Sequence, residues 1–176
     1  MVRKAAGILL ACGLTLGWGQ AESGRASIEL GIGVAGPGEH ASVPVTLSAT
    51  NPSGVGRILF EVSFPNKLLT FNSVNSVAQG ADAGSLEITI RTELLESEEE
   101  NVLQVELSSS DPIPEGNLLE LLFDVAPEAE PNDEYTLKNI VQRIETTQGE
   151  ALEATGLDGF IIVVGDAVFG CFFYMH

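Results

Sequence analysis

Two histidines and two cysteines are the side chains of this 176-residue chain best suited to proton transfer, nucleophilic attack or zinc binding near neutral pH. Their placement argues against all three. His40 follows a PGE turn and His176 is the last residue, so no Cys–His pair, Ser–His–Asp set or zinc-ligand spacing exists. Carboxylates are abundant, 25 against 8 Lys and Arg, which makes accidental pairs certain and marks none as a glycosidase acid and base. The run ESEEE at 96–100 offers the oxygen ligands calcium prefers. It lacks the Asp/Asn/Gly spacing of a calcium loop and reads as a solvated hairpin tip. GIGVAG at 31–36 matches G-x-G-x-x-G letter for letter, but turn residues follow it. A dinucleotide site needs a helix there, so that its first amides meet the pyrophosphate. No catalytic residue, metal ligand or cofactor site is expected, and the chain is read as a non-enzyme.

The totals bound what remains. A hydrophobic fraction of 44% and a mean hydropathy of +0.21 exclude a largely disordered chain, and the length suffices for one domain with a sizeable core. The net charge of −17 repels phosphates and anionic head groups, so nucleic acid and membrane surfaces are poor partners. Residues 1–4 are basic, residues 5–17 apolar, and GQA at 19–21 sets small residues where signal peptidase reads. Residues 1–21 are therefore read as a secretory signal peptide, with Glu22 first in the mature chain; losing Arg3 and Lys4 takes the charge from −17 to −19. LLAC at 9–12 resembles a lipobox, but the apolar run continues past it through Leu14, Leu16 and Trp18. With Cys12 in the leader, Cys171 stands alone and a disulfide framework is excluded.

The mature chain alternates apolar and polar residues over short stretches separated by Gly, Pro and Asn. The clearest stretch is 57–64, where Ile58, Phe60, Val62 and Phe64 point one way and Arg57, Leu59, Glu61 and Ser63 the other. Similar patterns predict strands at 27–35, 42–49, 68–77, 85–91, 102–108, 118–126 and 160–164, and more loosely at 135–144. Pro44 lacks a donor and requires an edge, a bulge or a strand start. Residues 109–117 read as a loop and 146–155 as a polar connector. The stretch 160–164 is apolar on both faces, which predicts cover on both. Residues 160–175 are apolar apart from Asp166, yet fall short of the roughly 20 residues of a membrane helix. Nine short strands with no long helix predict an all-β, nine-stranded jelly-roll β-sandwich over 26–165, followed by a tail of unassigned role at 166–176.

Four of these stretches also follow a known pattern in the right order. GPGEHASVPVTL at 36–47 resembles the pGdxvxVPV segment of cohesin modules, and FEVSFPNKLLTF at 60–71 resembles their f-x-f-x-Y-D-P-x-x-L-x-F. GNLLELLFDV at 116–125 is similar to their G-x-L-x-x-l-x-F-x-V, and LDGFIIVV at 157–164 to their closing dG-x-i-x-V. The resemblance implies a jelly-roll sandwich and a non-catalytic role, since cohesins bind calcium-loaded dockerin modules and gather secreted polysaccharide-degrading enzymes. It further implies recognition through the outer face of the sheet holding the third, fifth, sixth and eighth strands. On this chain that face would present Arg57, Leu59, Glu61, Glu87, Thr89, Arg91, Gln104 and Glu106. Arg57 and Leu59 stand where cellulosomal members place Asn and Asp, and Pro65 and Asn66 where they place Asp and Pro.

A protein-binding face should set an apolar spot among polar residues, and Leu59 between Arg57 and Glu61 supplies one. A carbohydrate-binding face would show outward aromatics. Only 6% of the chain is aromatic, Trp18 leaves with the leader, and Phe60, Phe64, Phe71 and Phe123 point inward by alternation. Tyr135 and the FFY triplet at 172–174 keep direct polysaccharide binding as the alternative, with a structural envelope role third. The expectation is a secreted or cell-surface module with a protein partner, dockerin-like or other.

Overall fold

Period-two alternation becomes strand wherever one face of a segment can be buried, and the computed structural model, which describes residues 24–50, 53–77 and 88–165, contains eleven such strands. They are β1 (Arg25–Leu30), β2 (Ile32–Ala35), β3 (His40–Ala49), β4 (Val55–Pro65), β5 (Leu69–Ser76), β6 (Thr89–Leu95), β7 (Glu100–Ile113), β8 (Gly116–Val125), β9 (Glu134–Thr146), β10 (Glu153–Leu157) and β11 (Gly159–Val163). Five form one sheet, in the order β10-β1-β3-β8-β5, and six form the other, β2-β11-β9-β4-β7-β6. The two sheets close a jelly-roll sandwich. No helix among the described residues is long and apolar enough to cross a membrane.

The core lies between the sheets. Ile28, Val43, Val45, Leu47, Leu121 and Phe123 face inward from the first sheet; Ile58, Phe60, Val62, Phe64, Leu103, Val105, Leu137 and Ile161 meet them from the second. Phe123 stands edge-on to Phe64 at 5.1 Å and to Phe71 at 5.9 Å between ring centroids. Each buried large side chain stabilises by about 1.5–3 kcal/mol relative to exposure, and the described residues, which include no cysteine, rest on this layer.

Several elements differ from the sequence expectation. The first predicted strand is two strands in different sheets. A Cβ at Gly31 would lie 2.6 Å from Pro44 Cγ, and the chain crosses between sheets at this glycine. The crossing reverses the phase: Ile28 and Leu30 are buried, whereas Ile32 and Val34 face outward. Pro44 lies inside a central strand rather than at an edge, one residue before a register shift between β3 and β8. Its carbonyl accepts from Gly31 N at 2.8 Å, so its nitrogen faces the point where β1 leaves the sheet and no donor is needed. β7 continues through the predicted loop to Ile113, which is buried opposite Val55. The predicted connector supplies β10, which pairs in parallel with β1. The split at Gly31 and the added β10 account for eleven strands where nine were expected. On β11, Ile161 and Val163 are buried, but Phe160 and Ile162 are only half-buried, so the described residues cover one face and not both. The predicted leader at 1–21, the predicted tail at 166–176 and Glu87 lie outside the described residues.

Candidate functional site

Three strands bring most of the predicted site residues onto one surface. Antiparallel pairing sets Arg57 of β4 beside Ser108 of β7, Leu59 beside Glu106, and Glu61 beside Gln104. β6 continues the rows, with Thr89 beside Ser108, Arg91 beside Glu106 and Glu93 beside Gln104. Arg57, Leu59, Glu61, Thr89, Arg91, Gln104 and Glu106 therefore share the outer face of the six-stranded sheet. Glu87 has no described position.

β9 completes the face, and its residues were not singled out in the sequence. Arg143 pairs with Leu59, Ile140 with Glu61 and Lys138 with Ser63. A register shift between Leu59 and Phe60 inserts Gln142 as an extra residue on β9, so that Arg143 and Gln142 both face outward. This bulge is why 135–144 fits period two only loosely. The extra cations in an acidic chain were the available signal.

The face is a mosaic of paired charges around apolar side chains. Arg57 donates to Glu106 through Nε at 2.9 Å and Nη2 at 2.6 Å, and reaches Glu145 at 3.8 Å. Arg143 pairs with the other oxygen of Glu145 at 2.5 Å. Glu61 accepts from Gln104 Nε2 and from Gln142 Nε2, each at 3.0 Å. Lys138 Nζ donates to Glu100 at 2.8 Å and Ser63 Oγ to its other oxygen at 2.6 Å. Those two hydrogen bonds, the lysine's first, hold the Glu100 carboxyl below its ordinary range, and the same contact raises Lys138. Arg91 makes no ion pair among the described residues and lines a shallow groove of about 500 Å³ with Thr92, Glu93, Gln104 and Glu106.

Apolar side chains interrupt this network. Ile140 is 52% exposed and Leu95 48%, while Leu59 on β4 and Val102 on β7 are half-buried. Four of the chain's eight Lys and Arg, namely Arg57, Arg91, Lys138 and Arg143, sit on this one face. Among the described residues no three His, Cys, Asp or Glu gather as a metal site. What the surface can do chemically is bind: it offers fixed guanidinium groups, carboxylates and apolar side chains on a rigid sheet.

The architecture is that of an all-β jelly-roll sandwich, and solved structures narrow the class. The chain matches no protein-family model and no curated protein sequence. It is similar in structure to a non-cellulosomal cohesin from Archaeoglobus fulgidus, at 20% identity and a TM-score of 0.62 over 81% of this chain and 94% of that one. It is also similar to a type I cohesin–dockerin complex from Clostridium thermocellum, at 15% identity and a TM-score of 0.64 over 80% and 99%. The seventh ScaB type I cohesin from Pseudobacteroides cellulosolvens matches at 16% identity, with a TM-score of 0.62 over 82% and 96%. In fold, the chain is a cohesin-like domain.

Proposed function

We propose that this domain is a non-catalytic recognition module, secreted by the leader at 1–21, which binds a protein partner in an extracellular or cell-surface assembly that degrades polysaccharide. The partner docks on the outer face of β9, β4, β7 and β6. The observation that carries this reading is the gathering of four of eight cations with exposed Ile140 and Leu95 on one side of a strongly acidic chain. Interface centres are rich in Arg and apolar anchors, and a rigid sheet holds these ones at little entropic cost. Arg57, Leu59, Glu61, Thr89, Arg91, Gln104 and Glu106 contribute, with Arg143, Gln142, Ile140 and Lys138 added from β9; Glu87 is assigned by sequence alone.

A dockerin-type module is the first partner to test, because several similar structures are cohesin–dockerin complexes. Direct polysaccharide binding is the weaker reading, since the described strands β9, β4, β7 and β6 place no Phe, Tyr or Trp on their outer face. Titration calorimetry against a panel of calcium-loaded dockerin modules separates the two. Saturable binding that weakens by about 30-fold in Leu59→Asp supports the proposal. Silence across the panel, together with sedimentation of the domain on insoluble cellulose or xylan, overturns it.

A further inference from the structure

Each sheet ends in two edge strands, and the four edges are not alike. β2 and β10 hold four and five residues, and short edges of this kind offer little for another chain to pair with. β5 is longer, but a register shift between Phe71 and Ser73 bends it. β6 differs. Its seven residues pair with β7 in unbroken register, and among the described residues nothing pairs with its other side. That side presents a regular row of backbone donors and acceptors, ready for one more strand.

The side chains of β6 specify that strand. Arg91 and Glu93 stand two residues apart on the outer face, both exposed, and neither makes an ion pair among the described residues. Ile90 and Leu94 are half-buried on the inner face, with exposed Thr92 between them. The segment is self-complementary about Thr92. Antiparallel pairing with a second copy in that register sets Arg91 of each chain opposite Glu93 of the other. It also sets Ile90 opposite Leu94 on both sides of the two-fold axis, and Thr92 opposite its own counterpart. We propose that this chain forms a two-fold dimer through β6, joining two six-stranded sheets edge to edge.

Charge selects the register. In an antiparallel ladder, residues whose backbone groups point outward meet residues of the same set, so the axis falls on a residue and not between two. Centred on Arg91, the dimer would oppose two guanidinium groups; centred on Glu93, two carboxylates. A larger shift leaves each charge without its opposite and shortens the ladder. Unlike charges directly opposed across strands stabilise the pair, and like charges destabilise it. The outer face of β9, β4 and β7 stays uncovered in this dimer. Partner docking is therefore a separate event, and the inference does not rest on it.

Sedimentation velocity of the full chain, with reductant present to keep Cys12 and Cys171 as thiols, tests the register by charge exchange. The parent chain should pass from monomer to dimer as its concentration rises. Arg91→Glu alone and Glu93→Arg alone each oppose like charges at both pairs, and should weaken the dimer by about tenfold or more. Mixed in equal amounts, these two variants should associate with each other. The chain carrying both exchanges should dimerise like the parent. Both side chains are exposed, so every variant should keep the parent's circular dichroism. A parent chain that stays monomeric up to about 1 mM overturns the inference, and leaves Arg91 and Glu93 as charges that guard a free edge. So does a dimer that neither single exchange weakens, or one that the combined exchange fails to restore.

Discussion

The two sheets share one core and turn different chemistry toward solvent. The outer face of the five-stranded sheet is built mostly from short polar side chains, among them Ser27, Ser42, Thr46, Ser48, Thr70 and Asn75, with Glu29, Glu120 and Asp124, and its outward leucines are Leu122 and, on the edge strand, Leu157. Among the described residues its one Lys or Arg is Arg25 at the start of β1, tied to Glu153 at 2.9 Å, while His40 lies 2.5 Å from Asp124. The outer face of the six-stranded sheet carries long side chains instead, with Arg57, Arg91, Lys138 and Arg143 set among Leu59, Ile140 and Leu95. Folding requires only that alternate residues point inward, and it leaves the outward set free. An unequal distribution is therefore not explained by the sandwich. Long, partly immobilised side chains provide contact area that Ser and Thr cannot, which is why the six-stranded face is the one proposed for recognition.

The largest expected effect removes the platform beneath both faces. Phe123→Ala deletes a ring held edge-on by Phe64 and Phe71, and should cost about 3–5 kcal/mol in denaturant unfolding. A smaller change separates the faces. Gly31→Ala forces a methyl against Pro44 at the sheet crossing, and should cost about 1–3 kcal/mol. Hydrogen exchange should then rise first in β2 and β11, while β4, β7 and β9 stay protected; uniform loss would show that the crossing supports the whole core.

The smallest effect is electrostatic and compares one carboxylate from each face. Glu100 is lowered chiefly by the Lys138 hydrogen bond, and Asp124 chiefly by that from Asn72, with His40 adding to it. A depressed folded value means stability that is present above the unfolded carboxylate value and lost as pH falls through the folded one. Both links therefore fade in acid. The Glu100 link also fades in strong alkali, because Lys138 is raised and its contribution is lost as pH rises through its folded value. Both groups are exposed, so the changes in stability are slight. Carboxyl NMR titration should show Glu100 moving up in Lys138→Met while Asp124 stays put. Movement of both would break the assignment of the two groups to separate faces.

What the sequence disclosed follows the same division. β4 is read correctly from alternation alone, because both neighbours pair with it and its inward residues are all large and apolar. β9 is not, because one inserted residue at Gln142 reverses the phase midway through the strand. The break at Gly31 is hidden since Ile28, Leu30, Ile32 and Val34 keep perfect period two while the chain changes sheets. β10 leaves no apolar trace, as it pairs at a sheet edge through its backbone. The candidate site was legible where it rests on β4, β6 and β7, and missing where it rests on the bulged strand.

The central claim is that the six-stranded face binds the partner and the five-stranded face does not. Matched substitutions test it: Leu59→Asp on the first and Thr46→Asp on the second, each titrated with the dockerin module that binds the parent domain. Leu59→Asp should weaken binding by about 30-fold, the equivalent of a 2 kcal/mol hot spot, with unchanged thermal stability. Thr46→Asp should bind like the parent. Equal binding by both variants, or loss confined to Thr46→Asp, would contradict the account.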